Sequence, residues 1–245
     1  MKPSSPAPSA QGVMQRIAAL DWNAIALSLD EEGCATVRNL ITSKECDAIA
    51  ALYSHDALFR NRVIMARHGF GRGEYKYFAY PLPDIVSSLR TAMYRQLAQV
   101  ANRWNTTMRG NVGYPLEHAD FLQRCHNAGQ RRATPLMLSY GTGDYNCLHQ
   151  DLYGEQVFPL QSTVLLSDPS TDFTGGEFVM TEQRPRMQSC VRVVLLGKGD
   201  AVIFAVNNRP VQGARGPYRV NLRHGVSPVR SGHRRTLGII FHDAL

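Results

Sequence analysis

Residues 138–151 read LSYGTGDYNCLHQD and close on His149-Gln150-Asp151. In an extended strand, residues two apart share a face. The His149 imidazole and the Asp151 carboxylate therefore reach one metal ion from neighbouring positions. Two ligands leave a site incomplete. A third from a distant strand gives a 2-His-1-carboxylate face, with the opposite coordination positions open for a co-substrate and O2. The candidate is His224, at the head of the run HGVSPVRSGHRRTL over residues 224–237. Two other histidines compete for that place: His233, in a Ser-Gly turn, and His242, on the last predicted strand.

The layout continues past His224. Arg234 follows on the same run, and Thr236 sits two residues beyond it. A planar guanidinium suits a bidentate bond to a carboxylate. Over roughly residues 134–243, this order and spacing resembles the Fe(II)/2-oxoglutarate-dependent dioxygenases. Carried over residue by residue, the resemblance implies that His149, Asp151 and His224 hold Fe(II). It implies that Arg234, with Thr236, clamps the far carboxylate of 2-oxoglutarate. Arg235 is the alternative clamp, because the two arginines alternate across the strand and only one faces the pocket. The implied co-substrates are 2-oxoglutarate and O2, with ascorbate as a stimulant.

Tyr140 and Gly143 precede the ligand pair in a Tyr-x-x-Gly-x5-His-x-Asp pattern that resembles the AlkB-type nucleic-acid dealkylases. The resemblance implies a phenol that donates to a 2-oxoglutarate carboxylate. Those enzymes carry an asparagine two residues before the tyrosine, where this chain has Leu138. The segments Gly175-Gly176-Glu177-Phe178 and Lys198 to Phe204 resemble the prolyl-hydroxylase branch instead. The whole pattern also resembles a bacterial oxygenase family assigned to repair of damaged DNA.

Composition narrows the classes. A chain of 245 residues with 44% hydrophobic residues supports one sizeable core. No apolar run approaches a membrane span. Residues 1–12 are rich in Pro, Ser and Ala and have no apolar signal core, which predicts a disordered tail and a cytoplasmic protein. Five scattered cysteines without a CxxC pair argue for reduced thiols, not for a disulfide framework or a zinc site. A net charge of +7 and a pI near 9.3 are compatible with nucleic acid as partner, as with many proteins that bind none.

Taken in order, 13–30 reads as one amphipathic helix, 34–41 as a strand, and Thr42 to Glu45 as a capping box opening a helix to about Tyr53. Residues 60–80 interleave Arg72 and other basic residues with Tyr75, Tyr77 and further aromatics. Such a mixture lines a groove for nucleic acid, or it forms a hairpin with a half-buried aromatic face. Residues 84–104 form the longest predicted helix, with Ile85, Leu89, Met93, Leu97, Val100 and Trp104 as its buried stripe. Asn105 to Pro115 reads as loop, and 117–128 as a short helix whose His118 and His126 are structural or exposed.

From Thr134 the pattern turns to short strands: 134–140, 146–151, 158–166, 176–180, 191–195, 200–204, 222–224 and 235–241. The expected fold is mainly β with flanking helices, a double-stranded β-helix (jelly roll) core over 134–245 buttressed by a helical region over 13–133, in a single domain. The expected activity is hydroxylation of a substrate C–H bond with release of succinate and CO2. Its candidate form is oxidative demethylation of alkylated nucleic acid, with Tyr75, Tyr77, Arg72 and Arg223 as substrate contacts. A prolyl, other protein or small-molecule hydroxylase is the alternative, and a non-catalytic jelly-roll binding module the third. No membrane partner is expected, and the oligomeric state is open.

Overall fold

The computed structural model of the protein describes residues 10–110, 113–169 and 171–245. Residues 1–9 of the expected disordered tail lie outside the described residues, and its last three positions are helical. The first half holds helix α1 (Ala10–Ala18), α2 (Trp22–Glu32), strand β1 (Cys34–Val37), α3 (Ser43–Ala51), β2 (Phe59–Ile64), β3 (Gly71–Arg72), β4 (Glu74–Phe78), α4 (Asp84–Thr107) and α5 (His118–Asn127). Strands β5 (Leu136–Tyr140), β6 (Tyr145–His149), β7 (Leu160–Leu165), β8 (Phe173–Gly175), β9 (Phe178–Gln183) and β10 (Cys190–Val194) follow. The chain ends with β11 (Ala201–Ala205), β12 (Asn208–Gly213), β13 (Gly216–Val226), β14 (Val229–Gly232) and β15 (Arg234–Ile240).

The strands pair antiparallel into a large sheet ordered β1-β11-β7-β15-β5-β4-β2 and a smaller one ordered β10-β9-β13-β6-β3, with β12 on β13. The two inner faces meet around one cavity, so the core is the expected jelly roll. Its sheets do not begin at Thr134, however. β1, β2 and β4 extend the large sheet and β3 the small one. The first half is thus both buttress and sheet edge. The hairpin expected over 60–80 is present, with its half-buried aromatic face.

Local chemistry explains the helices. The single helix expected over 13–30 is two. Asp21 interrupts it by accepting a hydrogen bond from Ala24 N at 3.0 Å, which caps α2. Gly33 ends α2 in the left-handed region at φ 74°, donating to Leu29 O. Thr42 and Glu45 form the expected capping box of α3. Helix α4 runs on to Thr107, past the predicted start of the loop, and its six-residue stripe is buried. Each such large side chain contributes about 1.5–3 kcal/mol.

Helix α4 is pinned to the end of β15 through Arg90, which is 1% exposed. Arg90 donates to Ile240 O at 2.8 Å, His242 O at 3.1 Å and Asp243 Oδ1 at 2.8 Å. Tyr80 and His126 complete the shell around the buried Asp243 carboxylate. Losing Arg90 would leave that carboxylate uncompensated, at a cost of about 3–5 kcal/mol. Cys34, Cys46 and Cys125 are buried free thiols, and burial pushes Cys34 up to about 11. No described helix is long and apolar enough to cross a membrane.

Candidate active site

The site begins with a strand pair. On β13 the side chains alternate, so His224 is buried while its neighbour Arg223 is exposed. His224 pairs directly with His149, the last residue of β6. Asp151 was expected on that same strand. It lies instead two residues past the strand end and turns its carboxylate back toward both rings. Asp151 Oδ1 is 3.5 Å from His149 Nε2, and Oδ2 is 3.4 Å from His224 Nε2. One ligand atom from each of the three residues falls within 4.8 Å of the others.

The hydrogen bonds around the cluster suit a metal. His149 Nδ1 donates to Cys147 O at 2.8 Å, which leaves the Nε2 lone pair facing the cluster. Burial first, and then His149 beside it, lowers the His224 pKa, so this imidazole is neutral at pH 7. Burial alone would raise the Asp151 carboxyl. The hydrogen bond from His224, both imidazoles and the Tyr153 hydroxyl outweigh it and hold the group well below the usual carboxylate range. Two imidazole nitrogens and a carboxylate are the donor set of a 2-His-1-carboxylate Fe(II) face.

A cavity of ≈ 320 Å³ opens over this cluster. Across it, on the large sheet, Arg234 and Thr236 from β15 and Tyr140 from β5 line the opposite wall. Arg234 pairs with Tyr140, its guanidinium carbon 5.6 Å from the phenol ring centre. It is 2% exposed, yet its Nε and Nη1 have no hydrogen-bond partner. Burial depresses its pKa to about 10, opposed by Tyr140 and Glu177. Tyr140 Oη also makes no hydrogen bond of normal geometry, with Asn146 close by. A buried cation and a buried phenol, both with free donors, match a carboxylate bound at this wall. The residues therefore fit Fe(II) and a dicarboxylate together. Arg235 turns to the other face, over the Tyr53 ring at 5.6 Å.

The other expected residues divide. Tyr75 and Tyr77 line the cavity, their rings edge to face at 5.3 Å. Arg72 is exposed on β3, beside the Gly69–Phe70 part of the cavity wall, with Asp144 at 3.9 Å. Arg223 is a correction: strand alternation turns it to the outer face of the small sheet, in a shallow depression with Leu148 and Thr181. His233 is exposed. His242 is buried away from the cluster, where its Nδ1 accepts from Phe158 N at 3.2 Å.

Two cavity residues escape a reading by spacing. Gln161 on β7 is 3% exposed and its amide nitrogen has no partner. Tyr153 lies in the irregular segment after Asp151 and bonds to it at 2.7 Å. For Tyr153 the signal was an aromatic two residues after the carboxylate; for Gln161 it was an amide on a strand that is buried at five of its six positions.

Known proteins share this architecture. A family model, Oxygenase-NA, described as "Oxygenase, catalysing oxidative methylation of damaged DNA", matches residues 73–244. Two uncharacterized proteins from two strains of Mycobacterium tuberculosis are 48% identical over 167 residues, covering 68% of this chain and 72% of theirs. A prolyl hydroxylase from Trichoplax adhaerens, solved with a hypoxia inducible factor peptide, superposes with TM-score 0.58 at 13% identity, over 94% of this chain and 91% of that one. A 2OG-Fe(II) oxygenase family oxidoreductase from Burkholderia pseudomallei gives 0.53 at 15%, over 92% and 93%. A Pseudomonas putida prolyl-4-hydroxylase gives 0.52 at 13%, over 91% and 99%. At these identities the likeness to the solved structures is one of fold.

Proposed function

The chain belongs to the Oxygenase-NA family and is an Fe(II)- and 2-oxoglutarate-dependent oxygenase, and from that premise we propose that it removes N-methyl groups from alkylated nucleic acid by oxidation. In this reading His149, Asp151 and His224 hold the iron, and Arg234, Tyr140 and Thr236 hold the far carboxylate of 2-oxoglutarate. Bound there, Fe(II) with 2-oxoglutarate and O2 supplies the oxidation of a substrate C–H bond to C–OH, with release of succinate and CO2. Hydroxylation of an N-methyl group gives a hemiaminal, which collapses to formaldehyde and the bare amine.

The chain's own residues bind and orient. Cys147 O fixes the tautomer of His149. Arg234 provides the cation that selects a dicarboxylate over a monocarboxylate. The observation that carries the substrate reading is the cavity wall. Tyr75, Tyr77 and, at the mouth, the half-exposed Phe70 form an aromatic slot beside the ligand cluster. Such a slot accepts a flat base taken out of its stack. The exposed Arg67 and Arg72 lie in the same segment, where they would meet backbone phosphates.

The test is formaldehyde release from N-methylated single-stranded DNA with Fe(II), 2-oxoglutarate and ascorbate, beside a His149→Ala control. Release that depends on His149 and falls steeply with salt supports the proposal. Uncoupled conversion of 2-oxoglutarate to succinate without formaldehyde would move the substrate to a protein or small molecule. Failure to bind iron at all would leave a non-catalytic binding module.

A further inference from the structure

The two oxygens of Asp151 have different surroundings. Its Oδ2 lies 3.4 Å from His224 Nε2, while its Oδ1, 3.5 Å from His149 Nε2, accepts the Tyr153 hydroxyl at 2.7 Å. Tyr153 is in turn the acceptor for Tyr77, whose hydroxyl donates to it at 3.0 Å. A phenol has a single proton. Because Tyr77 donates to Tyr153, the Tyr153 proton is committed to Asp151. The chain Tyr77 to Tyr153 to Asp151 therefore has one direction.

We propose that Tyr153 is the positioning residue of the metal centre: it occupies Asp151 Oδ1, so that the carboxylate meets the metal through Oδ2 alone, and Tyr77 sets the direction of its hydroxyl. The inference rests on the reading of His149, Asp151 and His224 as metal ligands. It goes beyond that reading in two ways. Asp151 stands on an irregular segment past the end of β6, so no strand hydrogen bonds fix its side chain. The Tyr153 bond does that work. Tyr77 also lines the cavity beside Tyr75. The wall that receives substrate and the ligand that holds the metal are thus joined by two hydrogen bonds. Tyr77, Leu136, Ile240 and Tyr153 pack as one small apolar cluster, which holds both phenols in place.

Outer partners of metal ligands typically change metal affinity about 10–100-fold when removed. The test uses full-length protein and Co(II) as the probe, titrated by its visible absorption, with thermal melting of the metal-free protein alongside. Tyr153→Phe is expected to bind Co(II) about 10–100-fold more weakly, with an altered ligand-field spectrum and a metal-free melting temperature near that of the wild type. Tyr77→Phe keeps the direct bond and is expected to show a smaller loss in the same direction.

Wild-type affinity and spectrum in Tyr153→Phe would overturn the proposal while leaving the ligand assignment standing. A lack of stoichiometric Co(II) binding by the wild type would overturn the ligand assignment, and the proposal with it. If Tyr153→Phe melts far below the wild type, Tyr77→Phe decides, and unchanged Co(II) binding there overturns the directed chain.

Discussion

His149 and His224 are directly paired residues on adjacent antiparallel strands, and their ring centroids stand 4.2 Å apart. The backbone ladder of β6 and β13 sets that distance, not the side chains. The strand pairing thus brings the two imidazoles together, and an alanine in place of one is expected to leave the strands in register.

His149→Ala should accordingly abolish Fe(II)-dependent stabilisation while preserving the fold. A ligand at 100 times its Kd stabilises the folded state by about 2.7 kcal/mol. Wild-type protein should show a clear rise in melting temperature on anaerobic addition of Fe(II), and the variant none. A full rise in the variant would remove His149 from the ligand set.

Arg234 and Arg235 give opposite expectations. Arg234→Met deletes a buried cation whose Nε and Nη1 lack hydrogen-bond partners, so the metal-free protein should be as stable as the wild type or more so. Its 2-oxoglutarate KM should rise, because hydrogen bonds to charged groups are worth about 1.5–3 kcal/mol, or about 10–100-fold. Arg235→Ala, on the other face over Tyr53, should leave that KM unchanged. Steady-state uncoupled turnover measures both, and a reversed pattern would place the co-substrate elsewhere.

The same pair shows where sequence reading stops. The meeting of His149, Asp151 and His224, and the arginine run across from them, were legible because spacing along strands is a physical constraint. Which arginine faces inward depends on strand phase, and that is decided by Thr236, Gly238 and Ile240 sharing the cavity face with Arg234. Strands β8, β12 and β14 escaped because each contains glycine or proline, residues that disfavour strands in isolation. Residues 13–30 read as one helix, and the cap at Asp21 divides it in two. Arg223 was selected for its nearness to His224, although a one-residue step reverses the face. Tyr153 escaped because the segment after Asp151 has no period to read.

Buried histidines, His118 and His242 among them, should make stability fall with acid. Burial first, and then the Arg90 charge, depresses His118 to about 3 and His242 to about 4, while the Phe241 carbonyl and Asp243 oppose the shift at His118. Their ordinary value is 6.5, so the unfolded chain takes up protons that the folded chain refuses. This contribution to stability is intact above pH 6.5 and is lost as pH falls toward the folded values. Each histidine should cost about 2 kcal/mol by pH 5. His118→Gln retains a donor toward Phe241 O and removes one titration. Urea midpoints at pH 7.5 and pH 5 should then differ by less than in the wild type, and an undiminished difference would exclude His118 as a source.

Gly225 sits at the irregularity in the β13–β6 pairing, between His224 and Val226. It lets the strand approach β6 so closely that an added Cβ would lie 2.7 Å from Asn146 O and 3.2 Å from the Cys147 carbonyl. Both neighbours are backbone, so no side chain can swing away. Gly225→Ala must push β13 from β6, and overpacking of this kind costs about 1–3 kcal/mol. The displacement falls on the strand pair that sets the His149–His224 distance. Metal affinity should therefore drop along with stability, even though no ligand is changed. A urea titration reads the first effect and Co(II) binding the second. Loss of stability with wild-type Co(II) affinity would show that the cluster tolerates movement of its strands, and that the ladder does not set its geometry.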